Sequence, residues 1–129
     1  MAGAPRTGIA RSEILLDGAH NPAAARALAA YIRRFYPGRR VKLIYGAMRD
    51  KAVSEVAAIL FPLAGEVILT APRQARSVRP AVIREMVDHP RLRIASDVED
   101  ALAMLEPGDA AFITGSLYLV GEARGYFVK

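Results

Sequence analysis

The 129-residue sequence predicts an α/β domain of three layers, a Rossmann-like α/β/α arrangement around a mainly parallel sheet of about five or six strands. Three observations carry this. Short runs rich in Val, Ile and Leu alternate with longer segments of helical period, the pattern of successive βα units. Those runs are nearly continuously apolar, as strands covered on both faces should be. Gly, Pro, Asn, Asp and Ser fall between the segments, where turns and helix ends call for them.

The first twelve residues, MAGAPRTGIARS, carry no element signal and read as a linker or an artificial start, so the domain is expected over 13–129. The first strand is expected at 13–17 (EILLD). Asn21 is a good N-cap and Pro22 suits the first helical position. Leu28, Ile32 and Phe35 then recur on one face until Pro37-Gly38 stops the helix. A second strand follows at 41–45 (VKLIY), then a helix from about Lys51 to Phe61, cut off by Pro62.

The third strand is 66–70 (EVILT), and the helix after Ser77 should bury Val82, Ile83, Met86 and Val87. A fourth strand at 92–96 (LRIAS) leads into a capping box, Ser96-Asp97-Val98-Glu99, whose helix turns Val98, Leu102 and Leu105 inward before Pro107-Gly108. The fifth strand is 110–114 (AAFIT). A last helix near Ser116 should bury Leu117, Val120 and Ala123. Gly121 and Gly125 each weaken it by about 1 kcal/mol relative to alanine, which points to close packing at those positions. No internal repeat or second-domain boundary is visible.

Composition bounds the chemistry. A net charge of +5 favours anionic partners without selecting among them. Aromatic residues make up only 7%, too few for a stacking platform, so no nucleic-acid partner is expected. No run approaches the roughly 18 apolar residues needed to span a bilayer, and no membrane partner is expected. The absence of cysteine removes disulfides and thiolate metal sites and fits a cytoplasmic location.

In a parallel sheet the residues that follow the strands gather along one edge, where ligands of open α/β folds bind. They are Asp17, His20 and Asn21 after the first strand, then Arg49, Asp50 and Lys51 after the second. Thr70, Arg73 and Arg76 follow the third strand, and Thr114 and Ser116 the fifth. Most also have a plain structural use. Asn21 and Ser116 are N-caps, Asp50 could cap the next helix, and Asp17 and His20 could bond to nearby backbone. Arg73, Arg76 and Arg79 form a basic loop that could be solvated or grip a carboxylate. His89, before Pro90, reads as structural.

No G-x-x-x-x-G-K-[ST] loop, G-x-G-x-x-G fingerprint or G-x-S-x-G elbow is present. The chain therefore has no recognised cradle of its own for a triphosphate or dinucleotide. Two distant histidines make a zinc site improbable, and no metal ligands are assigned.

Four motifs occur in a fixed order: LLDGAHNP at 15–22, YGAMRDK at 45–51, TAPRQAR at 70–76 and ITGSLYLVGEAR at 113–124. In order and spacing they resemble the C-terminal domain of the folylpolyglutamate synthase/dihydrofolate synthase family, within the Mur ligase superfamily. The resemblance covers roughly 13–127.

It implies an ATP-dependent ligase that phosphorylates a carboxylate of dihydropteroate or a folate and lets the amino group of L-glutamate attack the acyl phosphate. A separate N-terminal ATPase domain would hold ATP and Mg2+. By position, Asp17 would meet the ATP ribose, His20 the phosphates or reacting centre, and Asn21 would hold the turn. Ser116 would place glutamate or the acyl phosphate. Asp50 and Lys51 match the first two positions of a family DKD pattern, with a structural or amino-acid-binding role. Arg76 matches the arginine of a PRA segment.

The sequence departs from those patterns at Ala52 and Ser77, and residues 1 to 12 do not read as the antiparallel edge strand with which the family's domain begins. The chain by itself is expected to be inactive. The competing readings are a non-catalytic nucleotide or amino-acid binding module of this fold, or a ligase domain acting on cell-wall precursors.

Overall fold

The computed structural model describes residues 12–38, 41–49 and 51–127. Five strands form one sheet: β1 (Glu13–Leu16), β2 (Val41–Tyr45), β3 (Glu66–Leu69), β4 (Leu92–Ile94) and β5 (Ala110–Thr114). Their order is β1-β5-β2-β3-β4, and every pairing is parallel. Helices α1 (Pro22–Phe35), α2 (Val53–Leu60), α3 (Pro80–Met86), α4 (Val98–Ala103) and α5 (Leu117–Arg124) fill the connections, with a 3-10 turn at Phe61–Leu63.

The strand order explains the layering. From β1 through β4 the chain moves across the sheet in one direction, then returns from β4 to insert β5 between β1 and β2. Parallel crossovers are right-handed, so reversing the direction puts the connecting helix on the opposite face. One core accordingly joins Leu28 and Ile32 of α1, Val56 and Leu60 of α2 and Ile83 of α3 to Leu43, Tyr45, Val67, Leu69 and Phe112. The other joins Val98 and Leu102 of α4 and Leu119 and Ala123 of α5 to Ile44, Ile68, Ala111 and Ile113. Both faces of β2, β3 and β5 are buried, as their unbroken apolar runs require.

Several expectations change. The edge strands β1 and β4 are shorter than expected and partly exposed, since each has a neighbour on one side only. Phe35 is 54% exposed, because it lies at the margin of the stripe formed by Ala25, Leu28, Ala29 and Ile32; Tyr36 leaves helical geometry and is buried instead. The second helix begins at Val53 rather than Lys51 and passes at Phe61 into the 3-10 turn.

Of the four residues expected inward in α3, only Ile83 is buried, and Val82 and Met86 are exposed; about two turns of helix over β3 and β4 offer the core a single ridge. The cap of α4 sits one residue later than expected: Asp97 accepts from Asp100 N (2.8 Å), and Asp100 returns a bond to Ser96 N (2.8 Å). In α5 the inward residues are Leu119 and Ala123, while Leu117 is 66% exposed. Its glycines are not packing sites: a Cβ on Gly121 would meet nothing, and one on Gly125 only the local carbonyl of Glu122. The stretch 1–12 lies outside the described residues except for Ser12, whose hydroxyl donates to Glu106 O (3.0 Å).

Candidate functional site

Because β5 lies between β1 and β2, and its helix runs over the face opposite α1 and α2, the loops leaving these three neighbouring strands part at the carboxyl edge. That divergence opens the crevice in which ligands of such folds bind. The loops are stitched together at one carbonyl: Gly115 N donates to Ala19 O (3.0 Å), and the buried Thr114 hydroxyl donates to the same oxygen (3.4 Å). Gly115 holds φ +105°, and a Cβ there would collide with Gly46 O and the Tyr45 ring, so only glycine lets the β5 loop come this close.

Within the first loop, Asp17 Oδ1 accepts from Ala19 N (2.9 Å) and closes a short turn. His20 Nδ1 lies 2.8 Å from Gly18 O. A carbonyl only accepts, so Nδ1 carries a hydrogen, and in the neutral ring the lone pair is on Nε2. Asn21 Oδ1 accepts from Ala24 N (2.8 Å) and caps α1. In the fifth loop, buried Ser116 accepts from Tyr118 N (3.0 Å) through its hydroxyl oxygen and caps α5; its hydroxyl hydrogen has no partner among the described residues.

His20, Lys51 and Ser116 come from three separate strand ends and meet at one cavity of about 100 Å³, completed by Met48, Gly115, Leu117 and Tyr118. Lys51 has no ion-pair partner among the described residues. An ammonium and a hydroxyl hydrogen suit a carboxylate or phosphate oxygen cluster, and the imidazole beside them offers a site for a proton. The volume is below the roughly 300 Å³ at which small-molecule sites begin, so it fits one anionic group and not a whole nucleotide.

Asp17, Asn21 and Arg76 sit at the same edge but do not line this cavity, and Asp50 lies outside the described residues. Arg76 O accepts from Arg49 N (2.7 Å), which ties the third loop to the second. Arg73 does not join a three-arginine grip: its guanidinium pairs with Asp97 (3.0 Å) and borders a separate cavity of about 230 Å³ with Val98, Glu122 and Tyr126.

The Asp100 N–H and the Arg73 guanidinium hold the Asp97 carboxyl below its ordinary range. Burial pushes the Tyr45 phenol well above its own, so it stays neutral in the core. His89 is structural, as expected: Nε2 donates to Ala64 O (2.7 Å) and Nδ1 accepts from Arg91 N (3.0 Å).

Sequence reasoning passed over Met48 and Tyr118 as lining residues. The available signal for Tyr118 was its place one residue after the Leu117 start of α5, on the side of the helix that its i, i+4 neighbours leave unburied. Among the described residues no cluster of three or more metal-ligating side chains occurs, and no helix is long and apolar enough to cross a membrane.

Against known proteins, residues 6–117 match the family described as Mur ligase, glutamate ligase domain. A probable bifunctional folylpolyglutamate synthase/dihydropteroate synthase from Haloferax volcanii is 33% identical over 119 residues, covering 86% of this chain and 14% of the relative. Folylpolyglutamate synthase from Mycobacterium tuberculosis, solved with ADP and AMPPCP, superposes with TM-score 0.80 at 27% identity over 90% of this chain and 30% of that one. The folylpolyglutamate synthase of Thermotoga maritima gives TM-score 0.81 at 27% identity, over 88% and 27%. The chain thus spans about one seventh of the curated relative and under a third of each solved one.

Proposed function

The chain belongs to the glutamate ligase domain family of the Mur ligases, and from that premise we propose that residues 13–129 serve as the C-terminal domain of an ATP-dependent ligase joining L-glutamate to dihydropteroate or a (poly)glutamyl folate. The observation that carries this reading is the meeting of His20, Lys51 and Ser116 at one cavity sized for a single anionic group. In an acyl-phosphate mechanism such a group is the α- or γ-carboxylate of glutamate or the transferred phosphate. Lys51 neutralises its charge, Ser116 donates to an oxygen, and neutral His20 can take a proton from the glutamate ammonium through Nε2, which frees the amine to attack.

Because the match is to a glutamate ligase domain, we take folylpolyglutamate synthase, of the two activities named for the Haloferax relative, as the one this chain serves.

The rest of the nucleotide does not fit in about 100 Å³. We assign it to an N-terminal ATPase domain of the same parent, which would also hold the Mg2+ that ATP chemistry calls for. On this reading Asp17, exposed at the lip, reaches the ribose hydroxyls as that domain closes, while Asn21 holds the turn and Arg76 and Asp50 border the amino acid. Assembly of the site only on closure would shield the acyl phosphate from water. On the same reading we place the parent enzyme in the cytoplasm.

The test is ADP release by the parent polypeptide with ATP, L-glutamate and either dihydropteroate or tetrahydrofolate. Glutamate-dependent release is expected, with Lys51→Ala and His20→Ala each lowering kcat/KM by about 10²-fold, the loss of one charge-assisted contact at a reacting centre. The 129-residue chain alone should release none. No glutamate-dependent turnover by the parent with either acceptor overturns the reading, and so does turnover by the chain alone.

A further inference from the structure

The loop between β3 and α3 carries more anchoring than a solvated turn needs. Its first residue past Pro72 is held twice: Arg73 N donates to Glu122 Oε2 of α5 (2.5 Å), and the Arg73 guanidinium donates to Asp97 (3.0 Å), the cap of α4. The loop then closes on itself. Gln74 N donates to Pro72 O (2.8 Å), Ser77 N to Gln74 O (3.1 Å), and the Ser77 hydroxyl to Pro72 O (2.6 Å).

On its far side the loop is paired with the segment after β2. Arg49 N donates to Arg76 O (2.7 Å), Val78 N donates to Ala47 O (2.9 Å), and Met48 and Ser77 form an antiparallel bridge. Met48 and Lys51 of that segment are walls of the anion cavity.

The geometry points to Glu122, Arg73 and Ser77 as positioning residues that brace the Met48 wall of that cavity from the opposite face of the sheet. The route is contiguous. Glu122 fixes where Arg73 sits, the internally bonded 72–77 loop passes that position on, and the bridge sets Met48 and Arg49. Ser77, which departs from the family's alanine, supplies the closing hydroxyl that an alanine lacks.

None of these three residues lines the cavity, so their effect on it is indirect. The brace gives the proposed ligase site a fixed wall at Met48 before any ligand arrives, and its relevance to catalysis rests on that reading. The test itself uses no ligand, so it can fail while the reading stands, or succeed while the reading falls.

It is native-state amide exchange on the 15N-labelled 129-residue chain. In Glu122→Ala the Arg49 and Val78 amides should exchange about tenfold faster or more, as expected for loss of a hydrogen bond to a charged group, while Ile44 and Phe112 in the central strands change less than about twofold. Glu122→Gln keeps an acceptor oxygen for Arg73 N and should restore the Arg49 and Val78 rates to within about threefold of wild type. Unchanged Arg49 and Val78 rates in Glu122→Ala overturn the brace. So does a uniform rise at every amide, which would mean only global loosening.

Discussion

Gly115 stands at the tightest point of the site, with φ +105° and no room for a Cβ between Gly46 O and the Tyr45 ring. Gly115→Ala combines a left-handed backbone with a buried clash, and should lower stability by about 3 kcal/mol in a urea titration. Asp17, His20 and Asn21 show how much of a site can be read residue by residue. Turn and cap rules assign Asn21 to Ala24 N and allow Asp17 its bond to Ala19 N. They do not place His20 beside Lys51 and Ser116, because that depends on strands 1, 2 and 5 being neighbours.

Elements were legible where period and punctuation agreed, as in α1, where Asn21-Pro22 opens a stripe of Ala25, Leu28, Ala29 and Ile32. They were misread where a helix is too short for its period to declare a face. In α5 the expected face of Leu117, Val120 and Ala123 keeps only Ala123 inward, and the choice falls to the sheet, which receives Leu119 instead of Leu117. Gly121 follows the same logic. It lies on the open side of α5 with nothing within 4 Å of a built Cβ, so Gly121→Ala should stabilise the chain by about 0.5–1 kcal/mol, read as a raised thermal midpoint. A lowered midpoint would restore the packing role expected from the sequence.

The whole molecule has two unlike edges. At the carboxyl edge the strand ends leave Lys51 with no ion-pair partner among the described residues. At the amino edge every strand from β2 to β5 is tied by charge: Lys42 Nζ pairs with Asp109 (2.8 Å) and Glu66 (3.3 Å), and Arg93 with the other oxygen of Glu66 (3.4 Å). Lys42 and Glu66 are each 6% exposed, so Lys42→Ala leaves a buried carboxylate without its main partner and should cost about 3–5 kcal/mol by chemical denaturation. A loss below about 1 kcal/mol would mean that Arg93 and water suffice.

The sequence alone determined the alternation of strands and helices, the buried central strands and the residues at each strand end, because those follow from local apolar runs, caps and turns. Strand order, and with it which strand ends share a cavity, which are edges and which face a short helix presents, came from packing across the sheet. Those depend on contacts between segments tens of residues apart, such as Gly115 with Ala19 and Arg73 with Glu122, and no local pattern encodes them.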